Sequence, residues 1–166
     1  MRYIMKKEGH EYLFNEAIRY LGKYPATKKK IEEYLKKKLR EKKTYQKAIF
    51  SENIEKNTLV KEIVSKLDEL KIINESDYLE SMFNYYQQSL YSISKIKNKL
   101  YQKGFDEKDI DMHINIQLQQ DPELEVNILK KYIQKKKLNS LEVDELKKKL
   151  YQQSFSEGSI YKIIKE

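Results

Sequence analysis

The sequence predicts an all-α protein built as three tandem three-helix repeats, which form an extended, curved array. Three observations lead there. Apolar residues recur at helical spacing along almost the whole chain. Only 4 Gly and 2 Pro occur in 166 residues, so helices have few interruptions. Residues 94–114 (SKIKNKLYQKGFDEKDIDMHI) also return in altered form at 144–164 (DELKKKLYQQSFSEGSIYKII), a self-similarity at an offset of 50.

Taken in order, Tyr12, Leu13, Ala17, Tyr20 and Leu21 lie on one face of a first helix. Pro25 disfavours helix at Tyr24. Thr27 is the expected N-cap of a second, because its hydroxyl can accept from a free first-turn N–H. Ile31, Leu35 and Leu39 follow at i, i+4 and i+8, so 28–43 reads as a very basic amphipathic helix. Residues 44–57 read as a short helix or a long connection. Asn57 or Thr58 then opens a helix with Val60, Ile63, Val64, Leu67 and Leu70 on its stripe. A helix from about Ser76 to Ser89 carries Leu79, Met82, Phe83 and Tyr86.

Ser92 caps the next, with Ile93, Ile96 and Leu100 inward and Gly104 at the C′ position. Asp106 opens another, whose apolar side holds Ile110, Ile114, Met112 and Leu118. Asp121-Pro122 looks like an N-cap followed by a proline at N1, ahead of Val126, Ile128, Leu129, Tyr132 and Ile133. Ser140 is the expected cap for Val143, Leu146 and Leu150, and Ser156-Glu157 starts a last helix with Ile160, Ile163 and Ile164.

Between 94–114 and 144–164, nine of 21 positions are identical, including the ordered strings Leu100-Tyr101-Gln102 with Phe105 and Leu150-Tyr151-Gln152 with Phe155. Lysine bias alone does not produce that twice. The preceding helices align at the same offset, Leu79 over Leu129 and Phe83 over Ile133. A weaker third copy, at an offset of 61, sets Leu35 and Leu39 against Ile96 and Leu100. The expected units are therefore 1–73, with an insertion around 44–57, then 74–120 and 121–166. Each buries its own stripe and stacks on its neighbour.

The net charge of +8 is unevenly spread. Residues 1–50 hold 15 basic and 6 acidic side chains, whereas 51–92 hold 4 and 8. A basic first third attracts an anionic partner, nucleic acid or an acidic protein face. The lysine richness equally fits an AT-rich genome. Absence of Cys removes thiol nucleophiles and thiolate metal sites and accords with a reducing compartment. No apolar stretch follows the basic Met1–Lys7 as a signal peptide would need, and no run approaches the roughly 18 apolar residues of a membrane span. The reading is a cytoplasmic monomer without a membrane role.

No enzyme signature emerges. His10 and His113 are isolated, and Gly9, Gly22, Gly104 and Gly158 are too far apart for a phosphate loop. No catalytic residue, cofactor or metal site is therefore expected. The binding candidates lie on the second helix of each unit. They are Lys29, Lys30, Lys36, Lys37, Lys38 and Arg40 in the first, Lys95, Lys97, Lys99, Tyr101 and Lys103 in the second, and Lys147, Lys149 and Tyr151 in the third. The lysines reach phosphates or acidic side chains, and the tyrosines stack on bases or pack between units. As plain chemistry the same residues also describe solvated helix faces.

Four stretches resemble the RecX family: AIRYLGKYPATKKKIEEYLKKKL (17–39), LDELKIINESDYLESMF (67–83), SISKIKNKLYQKGFDEKDI (92–110) and LYQQSFSEGSI (150–160). The sequence departs from the family pattern where Asn74-Glu75 and Asp77-Tyr78 stand for an acidic pair and aromatic, where Lys23 and Lys28 replace arginines, and where Ser154 replaces a glycine. The resemblance implies a regulator of the RecA recombinase, acting in homologous recombination, DNA repair and the SOS response. Such a protein binds along the RecA–DNA filament and limits its extension, ATP hydrolysis and strand exchange. Two other readings stand beside it: a module that binds single- or double-stranded DNA without a recombinase partner, and a helical-repeat scaffold.

Overall fold

The computed structural model describes residues 2–41 and 53–165, with backbone alone at 2–8 and 53–56. Among these residues it is all-α. Nine helices follow one another: α1 (Arg2–Leu21), α2 (Lys28–Glu41), α3 (Asn53–Glu69), α4 (Glu75–Gln88), α5 (Ile93–Lys103), α6 (Glu107–Gln120), α7 (Leu124–Lys135), α8 (Val143–Gln152) and α9 (Glu157–Lys165). The chain forms two compact units, Met1–Tyr78 and Leu79–Glu166.

In the first unit, α2 packs chiefly on α3, and α1 touches both. The core holds the α2 stripe Ile31, Leu35 and Leu39 against Leu13 and Ala17 of α1 and Leu59, Val60, Ile63 and Leu67 of α3. Thr27 caps α2 as expected, its Oγ1 accepting from Lys30 N at 3.2 Å. In contrast, α3 begins at Asn53, so Asn57 and Thr58 are exposed residues inside the helix and not its start. With no Gly or Pro nearby, local capping preference is too weak to stop a helix there. Leu70 lies past the end of α3 and is 54 % exposed, so the stripe stops at Leu67. Most of the expected insertion at 44–57 falls outside the described residues.

In the second unit, α6 packs on α5, and α9 packs on α7 and α8. Ser92 Oγ accepts from Lys95 N and Asp106 accepts from Lys108 N, as helix starts of these types should. Asp121 does not cap α7 with Pro122 at N1. Its carboxylate accepts from Glu123 N, its carbonyl accepts from Leu124 N, and α7 opens only at Leu124. Ser140 likewise is not the cap of α8. That position belongs to Glu142, which makes no side-chain cap bond. Met112 and Val143 are exposed and not inward.

The repeated LYQxxF string folds the same way twice. Gly104 N donates to Tyr101 O and Phe105 N to Leu100 O. At the later copy, Ser154 N donates to Tyr151 O and Phe155 N to Leu150 O. Leu100 and Leu150 are fully buried, and Phe105 and Phe155 nearly so. This closure needs a left-handed residue. Gly104 supplies it at φ 96°, and Ser154 adopts it at φ 61° despite its Cβ. A left-handed residue with a side chain costs about 1 kcal/mol or more. Ser154→Gly is therefore expected to stabilise the second unit by about 1 kcal/mol, read as a higher thermal midpoint. An unchanged or lower midpoint would mean that Ser154 makes a compensating local interaction.

Candidate partner-binding helices

On α2 the apolar stripe faces the core, and the cations occupy the remaining surface. Lys29, Lys30, Lys37 and Arg40 are exposed, and Lys36 and Lys38 are half-buried. Short-range carboxylates temper the charge. Lys30 pairs with Glu33 at 2.9 Å, Lys36 with Glu32 at 3.2 Å and Lys37 with Glu41 at 3.8 Å. The hydrogen bond from Lys30 pulls the Glu33 carboxyl below its usual range. Pairs of this kind on open surface contribute under about 1 kcal/mol each and yield readily to a partner.

Lys38 has a different role. It lies 3.4 Å from Glu41, 3.9 Å from the buried Glu16 and 5.5 Å from the centre of the Tyr34 ring. Tyr34 donates to Glu16 at 3.0 Å, and Arg19 also bonds that carboxylate. Burial, reinforced by this hydrogen bond, raises the Tyr34 phenol above its usual value. Lys38 is thus part of the packing between α1 and α2.

In the second unit the α5 cations are largely engaged within the chain. Lys95 Nζ donates to Gln153 Oε1 at 2.6 Å. Lys97 pairs with Asp111 at 2.6 Å and Glu107 at 3.4 Å, and the bond to Asp111 pushes its ammonium pKa up. Lys99 lies over Tyr91 at 5.0 Å and Tyr86 at 5.7 Å. Lys103 is half-buried at the end of the helix, and Tyr101 is 57 % exposed. On α8, Tyr151 is similarly open, and Lys149 pairs with Glu145, one turn before it, at 3.6 Å. Lys147 has no ion-pair partner among the described residues: Tyr161 occupies the repeat position of Asp111, and Glu157, the counterpart of Glu107, does not pair with it.

Two carboxylates that were not among the candidates join these helices to the rest. Glu75 Oε1 accepts from Lys28 N, the first amide of α2, at 2.7 Å. Glu125, 8 % exposed, accepts from Ile93 N, the first amide of α5, at 3.1 Å. Glu125 also takes Ser156 N at 3.3 Å, Ser159 Oγ at 2.8 Å and the Ser156 hydroxyl. The two glutamates stand 50 residues apart, the spacing of the repeat, so the signal was present in the sequence. These bonds also match Thr27 with Ser92 and Ile31 with Ile96. The starts of α2 and α5 thus correspond at an offset of 65, about one helical turn from the 61 that sets Leu35 against Ile96.

Comparison with known proteins settles what this architecture resembles. No family model matches the chain. "Regulatory protein RecX" of Caldanaerobacter subterraneus subsp. tengcongensis is 29 % identical over 164 residues, spanning 99 % of this chain and 73 % of the relative. The chain is RecX-like in sequence and in fold. The crystal structure of RecX from Lactobacillus salivarius superposes with a TM-score of 0.72 at 22 % identity, over 96 % of each chain. A second crystal structure of regulatory protein RecX gives 0.70 at 24 % identity, over 98 % of this chain and 74 % of the other. This RecX-like chain has no three His, Asp or Glu side chains grouped as a metal site among its described residues. No helix among them is long and apolar enough to cross a membrane.

The surroundings of His113 shift its titration. Its ring meets Phe83 edge-on at 5.0 Å between centroids, and its buried Nε2 has no hydrogen-bond partner among the described residues. Burial holds its pKa below the ordinary 6.5, with the Glu80 carboxylate opposing more weakly. The unfolded chain therefore binds more protons than the folded one as pH falls below 6.5. This contribution to stability is complete above 6.5 and is lost as pH falls through the folded pKa. The thermal midpoint of the natural chain should drop more between pH 7.5 and 5.5 than that of His113→Gln. Parallel pH profiles would rule this out.

Proposed function

We propose that this protein binds the RecA–DNA filament and restrains its extension, ATP hydrolysis and strand exchange, through the cationic faces of α2, α5 and α8. The observation that carries this is the likeness to regulatory protein RecX over 99 % of this chain, in which the second helices are basic. On α2 the short-range pairs leave Lys29, Lys37 and Arg40 at the surface, where an acidic protein face or a phosphate can displace them. The acidic stretch 51–92 works against tight general binding to bare DNA, so direct DNA contact is the secondary feature. The RecX likeness also makes a DNA repair role in the cytoplasm the natural setting.

The deciding experiment is ATP hydrolysis by the cognate RecA on single-stranded DNA, with this protein titrated in. Suppression well below one molecule per RecA is expected, because a molecule at a filament end or in its groove acts on many protomers. Unchanged hydrolysis by the folded protein would reject the proposal. Salt-sensitive binding to bare DNA alone would favour a DNA-binding module.

A further inference from the structure

We infer that Glu75 and Glu125 are positioning residues: each sets the register of the basic helix whose first amide it holds, and so how that helix presents its cations. The inference rests on the proposed filament binding for its functional half. Its structural half stands on the two joints alone.

Apolar packing does not fix these helices along their axes. The α2 stripe repeats every four residues as Ile31, Leu35 and Leu39, so a slip of one turn returns apolar groups to apolar sites. That ambiguity is visible in the sequence, where an offset of 61 sets Leu35 and Leu39 against Ile96 and Leu100, and one of 65 sets Ile31 and Leu35 against the same pair. Directional bonds remove it. Thr27 and Ser92 each cover the amide three residues on, at Lys30 and Lys95. The first amides, Lys28 N and Ile93 N, are left for a carboxylate. Within a single helix, a capping box draws its acid from its own first turn. Here the acid comes from the start of α4 or α7.

The Glu125 joint is the stronger. A carboxylate this buried requires full hydrogen bonding. Glu125 meets donors from the N-terminal ends of both α5 and α9, where helix dipoles also favour a negative charge. Ser92 Oγ donates to Gln153 O at 2.9 Å and Lys95 Nζ reaches the side chain of the same residue, tying α5 to the end of α8 as well. Lys97, which meets Asp111, and Lys99, which lies over Tyr91, then follow on a helix held at its first turn.

The test compares the full chain with Glu125→Ala, Glu75→Ala and Glu125→Gln. Amide hydrogen exchange is followed at Lys28, Ile93 and Ser156, and affinity for the RecA–DNA filament is measured alongside. Loss of a charge-assisted bond should speed exchange at Ile93 and Ser156 about tenfold in Glu125→Ala, and at Lys28 in Glu75→Ala. Glu125→Gln keeps one acceptor oxygen and should protect only one of Ile93 and Ser156. Unchanged exchange at all three amides would overturn the inference, and Glu75→Ala gives an independent reading if Glu125→Ala does not fold.

Positioning makes one further demand. If Glu125 acts through α5, Glu125→Ala should weaken filament binding in the natural background but hardly at all once Lys97 and Lys99 are alanine. Additive losses among variants whose thermal midpoints show them folded would overturn the positioning role. If the natural chain itself fails to bind the filament, the proposed function falls, and exchange alone decides the register lock.

Discussion

Phe83→Ala is expected to destabilise the second compact unit by about 3–5 kcal/mol. Phe83 is fully buried on α4, and its ring packs edge-on with His113 of α6. Truncation removes an aromatic side chain and leaves a cavity, because a close-packed interior relaxes only in part. The bare Nε2 of His113 gives the site a second liability. A cavity that admits water lets that nitrogen find a partner, which limits the loss and raises the imidazole pKa toward 6.5. Denaturant unfolding measures the loss, and amide exchange locates it. Protection should fall in α4 and α6 while the α2–α3 core around Leu35 and Ile63 keeps its own. A loss below about 1 kcal/mol would mean that α4 contributes little to the core of this unit.

The residues that decide the fold were legible for a physical reason. A stripe such as Ile96 and Leu100 reflects burial, and burial dominates helix placement. Helix starts were less legible, because side-chain caps contribute only about 1 kcal/mol and lose when they conflict with packing. Ser140 and Asp121 are good capping residues, yet α8 and α7 start at Val143 and Leu124. The repeat was the better guide. An offset of 50 from Ser92 leads to Glu142, the observed N-cap position. The same offset links Glu75 to Glu125, a pairing hidden among many surface glutamates until their amide partners are seen. The state of each lysine was not legible at all. Lys97 and Lys147 occupy equivalent positions, but only Lys97 meets an acid from the following helix.

That difference shapes the largest functional effect. Lys37→Glu combined with Lys147→Glu is expected to weaken binding to the RecA–DNA filament at least about tenfold while leaving the fold intact. Each reversal turns an attraction into a repulsion at a charged interface, where such changes reach several kcal/mol. Neither lysine makes an ion pair to another helix among the described residues. Among the described residues, the Lys37 side chain is 74 % exposed and pairs with Glu41 on its own helix, and the half-buried Lys147 has no ion pair. Lys97→Glu is the instructive contrast. It would place a third carboxylate between Asp111 and Glu107, so it should loosen α5 from α6 and lower the thermal midpoint, confounding any loss of binding. Circular dichroism melts beside filament titrations at two salt concentrations separate these outcomes. A larger deficit for the double variant at low salt than at high salt places the lysines at the contact, because ionic screening weakens the interaction they make. Full binding by a folded Lys37→Glu, Lys147→Glu variant would remove these faces of α2 and α8 from the interface and leave the filament reading without its geometric support.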